Sequence, residues 1–380
     1  MTGFDFLTVG RIAFGRGRAA EAAAAVRAHG GRVVLVRGGS VAFADRLAED
    51  LRAGGAEVVE IRAKGEPTLP QLEAAVAQAR EAGAEVVVAV GGGSVLDLGK
   101  AVAALVPAPR GALAHLEVVG EGRPLEAPPL PFIALPSTAG TGAEVTKNAV
   151  IALPDHGRKV SLRDDRMLAD LAIVDPALTD DAPRAVTLAS GLDAVTQVIE
   201  PYLSRRANPL TDAICRAAIP RGLQALARLM QGEDPAARGD LAFTSLAGGL
   251  ALANAGLGAV HGFAGVLGGR TGAAHGALCG RLLPEVLRAN RAAAGRAGAD
   301  LSRYDEVEGW LRAALGGAGD APDLLAARID GWGLPRLGAM GVTADAIPEL
   351  AAESRTSSSM KGNPHDLDDA TLCAILERSL

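Results

Sequence analysis

Aromatic side chains supply only 3% of this 380-residue sequence, so Ala, Val, Leu and Gly must fill its cores. Hydrophobic residues reach 49%, enough for sizeable ones. Cysteine is scarcer still. Cys215, Cys279 and Cys373 are odd in number, far apart and form no CxxC pair, a pattern that suggests neither a disulfide framework nor a thiolate zinc site. Basic charge is not in excess either: the net charge is −6, and no concentrated basic face is available for nucleic-acid phosphates. The opening MTGFDFLTVGRIAFG lacks a basic segment followed by an apolar run. Arg, Glu or Gly interrupts every Ala-rich stretch before membrane-spanning length. The expectation is a cytoplasmic protein in a reducing compartment, with no nucleic-acid or membrane partner.

What is present alternates. Arg32–Arg37 (RVVLVR), Glu57–Arg62 (EVVEIR) and Glu85–Val90 (EVVVAV) are short β-branched runs, joined by helical patterns over Val41–Ala53 and Leu69–Ala82. Phe132–Leu135 and Leu171–Val174 are further runs of strand length. Strands alternating with helices imply βαβ units and a parallel sheet, and nearly unbroken Val runs suit strands buried on both faces. Past Asp175–Pro176 the strand-like runs give way to helical periodicity, as in Thr211–Leu229 and Asp240–Ala255. The length exceeds one core, and the reading is an α/β domain over residues 1–180 followed by an all-α domain over 181–380.

Two loops carry chemistry. Gly91–Lys100 (GGGSVLDLGK) follows the EVVVAV strand. Its glycines let backbone approach a bulky group, and Ser94 is placed to cap a helix whose N-terminal amides form an anion site. Pro136–Thr146 (PSTAGTGAEVT) follows the strand FIAL and adds hydroxyls from Ser137, Thr138 and Thr141. Loops at the carboxyl ends of parallel strands are where open α/β sheets bind ligands.

In the second half, Asp193 and Gln197 stand at i and i+4 on one helix face, while His261 and His275 flank a Gly-rich turn. Such an oxygen–nitrogen set suits a divalent metal, although the spacing alone defines no closed motif. His29, His156 and His365 fall in turns or at a helix end, and His115 has no recognisable partner. Cys215 and Cys279 read as small buried residues, with Cys279 close enough in sequence to His275 to line a pocket. No GxSxG elbow is present, which argues against a serine hydrolase.

GGGSVLDLGK and PSTAGTGAEVT resemble signature segments of the iron-containing (group III) alcohol dehydrogenases. The likeness continues in order through Lys159–Thr179, Gly191–Tyr202 and Asn254–Gly276. It implies a Rossmann-like N-terminal dinucleotide-binding domain and a helical C-terminal domain, in a dehydroquinate synthase-like architecture with the active site in the cleft between them. By the same resemblance, Gly92, Gly93, Ser94 and Asp97 line the pyrophosphate and nicotinamide part of the cofactor site. Thr138 and Thr141 contact the cofactor from the second loop, and Lys159 lies near the nicotinamide ribose. NAD-preferring members commonly carry an Asp where this chain has Gly38. Gly38, Gly39 and Ser40 would instead offer amides and a hydroxyl to a 2′-phosphate, with Arg37 adding charge, so NADP is favoured over NAD.

Asp193, His261 and His275 fall on the family's metal-ligand positions. Two departures stand out: Gln197 replaces a usual His ligand, and Gly265 replaces a further His, which removes a proton relay. Glycerol dehydrogenases of the same architecture hold zinc through one Asp and two His, so the expected metal is Fe or Zn, with Gln197 a fourth ligand or an outer partner. The implied activity is reversible hydride transfer between NAD(P)H and a small aldehyde or ketone, in a homo-oligomer such as a dimer. A maleylacetate-type reductase ranks second. A dehydroquinate synthase-type lyase lacks its cluster of Lys and Arg here, and a non-catalytic nucleotide-binding protein is the third alternative.

Overall fold

Six strands form one parallel sheet in the order β1-β8-β5-β4-β2-β3, where β1 is Ile12–Phe14, β2 Arg32–Arg37, β3 Glu57–Arg62, β4 Val86–Gly91, β5 Phe132–Pro136 and β8 Leu171–Val174. The structure, a computed structural model, describes residues 3–39 and 41–380. Ser40, assigned above to the cofactor, lies outside the described residues. β4 is buried along its whole length, as a central strand covered on both faces must be. On one face Val33, Leu35, Val86, Val88, Val90, Ile133, Leu135 and Ile173 pack against Leu47 and Leu51 of the Ala42–Ala53 helix and Val26 of the Ala22–Arg27 helix. Each such side chain contributes about 1.5–3 kcal/mol by leaving water.

Two further strands, β6 (Asn148–Leu153) and β7 (Arg158–Arg163), form an antiparallel hairpin outside the parallel sheet. They did not stand out in sequence because only alternate residues are buried and both β7 ends are Arg. The hairpin is anchored to the helix Gly93–Leu105 by a buried lysine. All three protons of Lys100 find acceptors: Ala143 O at 2.7 Å, Asn148 O at 2.8 Å and Thr146 Oγ1 at 3.0 Å.

The chain folds as two compact units. The sheet and the hairpin belong to the unit formed by Leu7–Thr138 and Gly142–Asp180. The other unit comprises Asp181–Leu380 with Ala139–Thr141 and the N-terminal segment to Phe6, and its described residues contain helices and no strand. Its central element is the helix Arg184–Leu203, in which every residue from Gly191 to Leu203 is buried. Around it stand Pro209–Leu229, Pro235–Ala255, Ala259–Thr271 and His275–Arg296. Asn208 and Asp234 cap the first two of these through side-chain oxygens, each followed by a Pro suited to the first helical position. Among the described residues no single helix is long and apolar enough to cross a membrane.

Candidate functional site

The first glycine loop turns from β4 into the Gly93–Leu105 helix so tightly that a Cβ on Gly91 would sit 2.5 Å from Val95. Ser94 does not cap this helix. Gly92 is the capping residue and has no side chain, while Ser94 lies within the first turn. The helix therefore presents first-turn amides with no side-chain cap, the arrangement that receives a phosphate. The second loop runs alongside: Ser137 N donates to Gly91 O at 2.9 Å, and a Cβ on Gly92 would lie 3.3 Å from Thr138 Oγ1. Gly91 and Pro136 are in register on β4 and β5, so both loops leave neighbouring strands at the same sheet edge. Thr141 belongs to the helical unit, where its carbonyl accepts a hydrogen bond from Gln197 Nε2 at 2.6 Å.

Asp97, on the same helix as Ser94, accepts from Val150 N at 3.0 Å, and burial raises its carboxyl to about 6 against the opposing pull of Lys100. Lys159 lies on β7, partly exposed, with Nζ 3.6 Å from Glu66. Gly38 follows β2, and its amide donates to Val90 O at 3.2 Å. Gly39 is exposed, with open space where a Cβ would stand. The charge expected from Arg37 is already spent. Its guanidinium is 3% exposed, hydrogen-bonded to Asp45 and 3.2 Å from Glu60. The correction follows from pairing that a local reading cannot see, because Glu60 arrives on the neighbouring strand.

In the helical unit three separate elements converge. Asp193 comes from the central helix, His261 from the first turn of Ala259–Thr271, and His275 from the first residue of His275–Arg296. His261 Nε2 lies 3.4 Å from Asp193 Oδ1, and His275 Nε2 lies 3.9 Å from the same oxygen. Close helix approach makes this possible: a Cβ on Gly276 would meet Ala189 O at 2.1 Å, so only glycine lets the two helices touch there. Cys279, one turn past His275, joins the group, and candidate ligand atoms of Asp193, His261, His275 and Cys279 all lie within 4.8 Å of one another.

His261 is held by a residue that the sequence reading missed. Glu200 Oε2 lies 2.6 Å from His261 Nδ1, while its other oxygen accepts from Val260 N at 2.7 Å. Asn363 Oδ1 accepts from Ala259 N at 3.0 Å. Two buried side chains thus serve the helix N-terminus, whose own cap, Gly258, has none. The Glu200 bond keeps a proton on Nδ1 and turns Nε2 toward Asp193, the carboxylate–histidine arrangement found behind metal ligands. Asp193, Gln197 and Glu200 stand at i, i+4 and i+7, so helical spacing marked the face without revealing the role.

Two atoms in this group, Asp193 Oδ1 and His261 Nε2, are buried without a hydrogen-bond partner. Such atoms call for a specific explanation, because an unsatisfied buried acceptor costs about 1–3 kcal/mol. A cation between them supplies it, and the donor set of carboxylate, two imidazoles and thiol fits a divalent transition metal. The electrostatics agree. Burial disfavours charge on both rings, yet the neighbouring Cys279 and Asp193 raise His275 to about 9. Cys279, Asp193 and Glu200 likewise outweigh burial at His261 and raise it well above the ordinary imidazole value. The pocket favours positive charge. Gln197, by contrast, spends its amide nitrogen on Thr141.

Of the remaining histidines, His115 is buried with Nδ1 3.1 Å from Arg123 O, His29 and His156 are exposed, and His365 stacks on Tyr304. None approaches the Asp193 group.

A phosphate-type loop pair on a parallel sheet and a buried carboxylate–histidine–thiol group in a helical unit together describe a nucleotide-using, metal-dependent enzyme. Family comparison gives the class a name. Residues 10–176 match the iron-containing alcohol dehydrogenase model, and residues 187–380 match the C-terminal model of the Fe-containing alcohol dehydrogenase family. The chain is 35% identical over 348 residues to a long-chain-alcohol dehydrogenase 1 of Geobacillus thermodenitrificans, spanning 89% of this chain and 86% of that one. It is 37% identical over 302 residues to the probable alcohol dehydrogenase EutG of Escherichia coli, spanning 79% and 74%. A solved sulfoacetaldehyde reductase from Bifidobacterium kashiwanohense, in complex with NAD+, superposes with a TM-score of 0.86 at 26% identity, covering 100% of this chain and 99% of that one. The chain belongs to the iron-containing alcohol dehydrogenase family and is an oxidoreductase of that family.

Proposed function

We propose that Asp193, His261 and His275 hold a catalytic divalent metal, zinc or iron, and that the chain reduces small aldehydes or ketones with a nicotinamide cofactor and oxidises the alcohols in reverse. The observation that carries the reading is the pair of buried, unpartnered atoms, Asp193 Oδ1 and His261 Nε2, aimed at each other across 3.4 Å. A divalent metal bound there supplies Lewis-acid polarisation of a carbonyl oxygen in reduction and acidifies an alcohol in oxidation. Glu200 orients His261 for this role, and Gln197 ties the central helix to Thr141.

Gly92, Gly93 and Ser94 offer the amides of an uncapped helix start to the cofactor pyrophosphate. Thr138 borders that loop, and Asp97 and Lys159 complete the set on the nicotinamide side. NADPH is the favoured cofactor because Gly38 removes the carboxylate that would repel a 2′-phosphate. With Arg37 neutralised by Asp45 and Glu60 and the Gly38 amide bonded to Val90 O, the missing carboxylate at Gly38 and the open space at Gly39 carry this preference, and NADH remains usable. The separated cysteines suit a reducing cytoplasm.

The test strips metal with chelator, restores Zn²⁺, Fe²⁺, Mn²⁺ or Ni²⁺ singly, and follows NADH and NADPH absorbance with a panel of short aldehydes. Metal-dependent turnover that favours NADPH is expected. NADPH binding without turnover under any metal would overturn the assignment.

A further inference from the structure

Cys279 stands one helical turn beyond His275 and is completely buried. Its Sγ lies 3.6 Å from His275 Nε2. A tetrahedral zinc site with bonds of about 2.0–2.1 Å to N or O and about 2.3 Å to S has edges of about 3.4 Å between N and O atoms and about 3.6 Å from S to N. Three of the six edges in this group are 3.4 Å for His261 Nε2–Asp193 Oδ1, 3.9 Å for His275 Nε2–Asp193 Oδ1 and 3.6 Å for Cys279 Sγ–His275 Nε2, and the other three are no longer than 4.8 Å. Those three edges lie within about half an ångström of the tetrahedral values, and contraction of the group by side-chain rotation closes the rest.

We propose that Cys279 is the fourth protein ligand of the metal held by Asp193, His261 and His275, and that it biases this site toward zinc. The proposal rests on the reading of that group as a metal site. It follows from what each neighbour has left to offer. With its amide nitrogen on Thr141, Gln197 keeps only a neutral amide oxygen, a weaker ligand than a thiolate, and Glu200 is committed to His261 and Val260. Cys279 alone brings a soft sulfur into the cluster, and thiolate ligands select zinc over harder-ligand metals. On ligation the thiol gives its proton to solvent, and the sulfur binds as thiolate. The cysteine count argued against a thiolate zinc site because no CxxC pair exists. The four ligands here come instead from three separate helices, of which only His275 and Cys279 share one.

Zinc K-edge X-ray absorption on the zinc-loaded full chain reads the ligand directly. The expected result is one sulfur scatterer at about 2.3 Å together with N and O scatterers near 2.0–2.1 Å. Cys279→Ala is expected to lose the sulfur shell and to weaken zinc binding in chelator competition by about tenfold or more, at least the scale on which outer partners of a metal act. The wild-type spectrum decides even where the alanine variant fails to fold, and Cys279→Ser offers a conservative second variant. One equivalent of zinc with N and O scatterers alone would overturn the role of Cys279 and leave the three-ligand site standing. A wild-type chain that takes up no zinc, iron or cobalt would overturn the metal site itself and this proposal with it.

Discussion

Glu200 grips His261 and the helix that carries it in one contact: one carboxylate oxygen is 2.6 Å from His261 Nδ1 and the other accepts from the preceding amide, Val260 N, at 2.7 Å. The ring can be neither flipped nor deprotonated at Nδ1 without losing a charge-assisted bond. Glu200→Gln leaves one of those donors facing an NH₂ group. It is expected to lower metal affinity by about 10–100-fold. Chelator competition followed by metal analysis checks this, with far-ultraviolet circular dichroism confirming that the helices persist.

Gly276 permits the helix contact that delivers His275 to Asp193. In Gly276→Ala the new methyl group would meet Ala189 O at 2.1 Å and Asp193 Cβ at 3.0 Å. The helices must separate, at a cost of about 1–3 kcal/mol for overpacking. A lower thermal midpoint is expected together with weakened metal binding, whereas Gly265→Ala, exposed within the Ala259–Thr271 helix with nothing within 4 Å, should raise the midpoint slightly.

The proposed NADPH preference is tested at position 38. Under that reading Gly38→Asp puts a carboxylate beside the 2′ position, to repel a phosphate and accept from ribose hydroxyls. The ratio of kcat/KM for NADPH to that for NADH is expected to fall by about tenfold or more. A ratio that does not move would place 2′ recognition elsewhere.

The buried Glu144 sets a pH dependence in the sheet-containing unit. Burial raises it to about 7, only partly relieved by its own backbone amide and by Lys100. Its value in the unfolded chain is the lower one, so the folded state holds the extra proton between about 4.5 and 7. Stability is therefore greater below that window and falls as pH rises through it, by at most about 3 kcal/mol. Glu144→Gln should flatten the fall in thermal midpoint between pH 5 and pH 8, on the order of the range the linkage spans.

The parallel strands were legible because burial on both faces leaves unbroken Val runs, as in Val86–Val90. The β6–β7 hairpin was not, since β6 buries only alternate residues and β7, RKVSLR, is mostly polar with two buried positions. The glycine loops announced themselves, but the capping residue proved to be Gly92 rather than Ser94, a shift of two residues that only the backbone course decides. Arg37 misled because its partners, Asp45 and Glu60, come from another helix and another strand. Asp193, His261 and His275 were visible through family resemblance, and the structure brings their side chains together. Glu200 escaped because its significance depends on where a helix start sixty-odd residues away lands in space, while Cys279, marked by its nearness to His275, meets Asp193 and His261 only through the packing of separate helices.

The central claim is that the Asp193 group binds the metal on which turnover depends. Metal content by mass spectrometry, measured beside NADPH-dependent aldehyde reduction on wild type and Asp193→Asn, tests it most directly. The account predicts that turnover in the wild type scales with metal occupancy, and that the variant stays folded while losing both. Undiminished aldehyde reduction by a chain stripped of metal, or by Asp193→Asn, would contradict it.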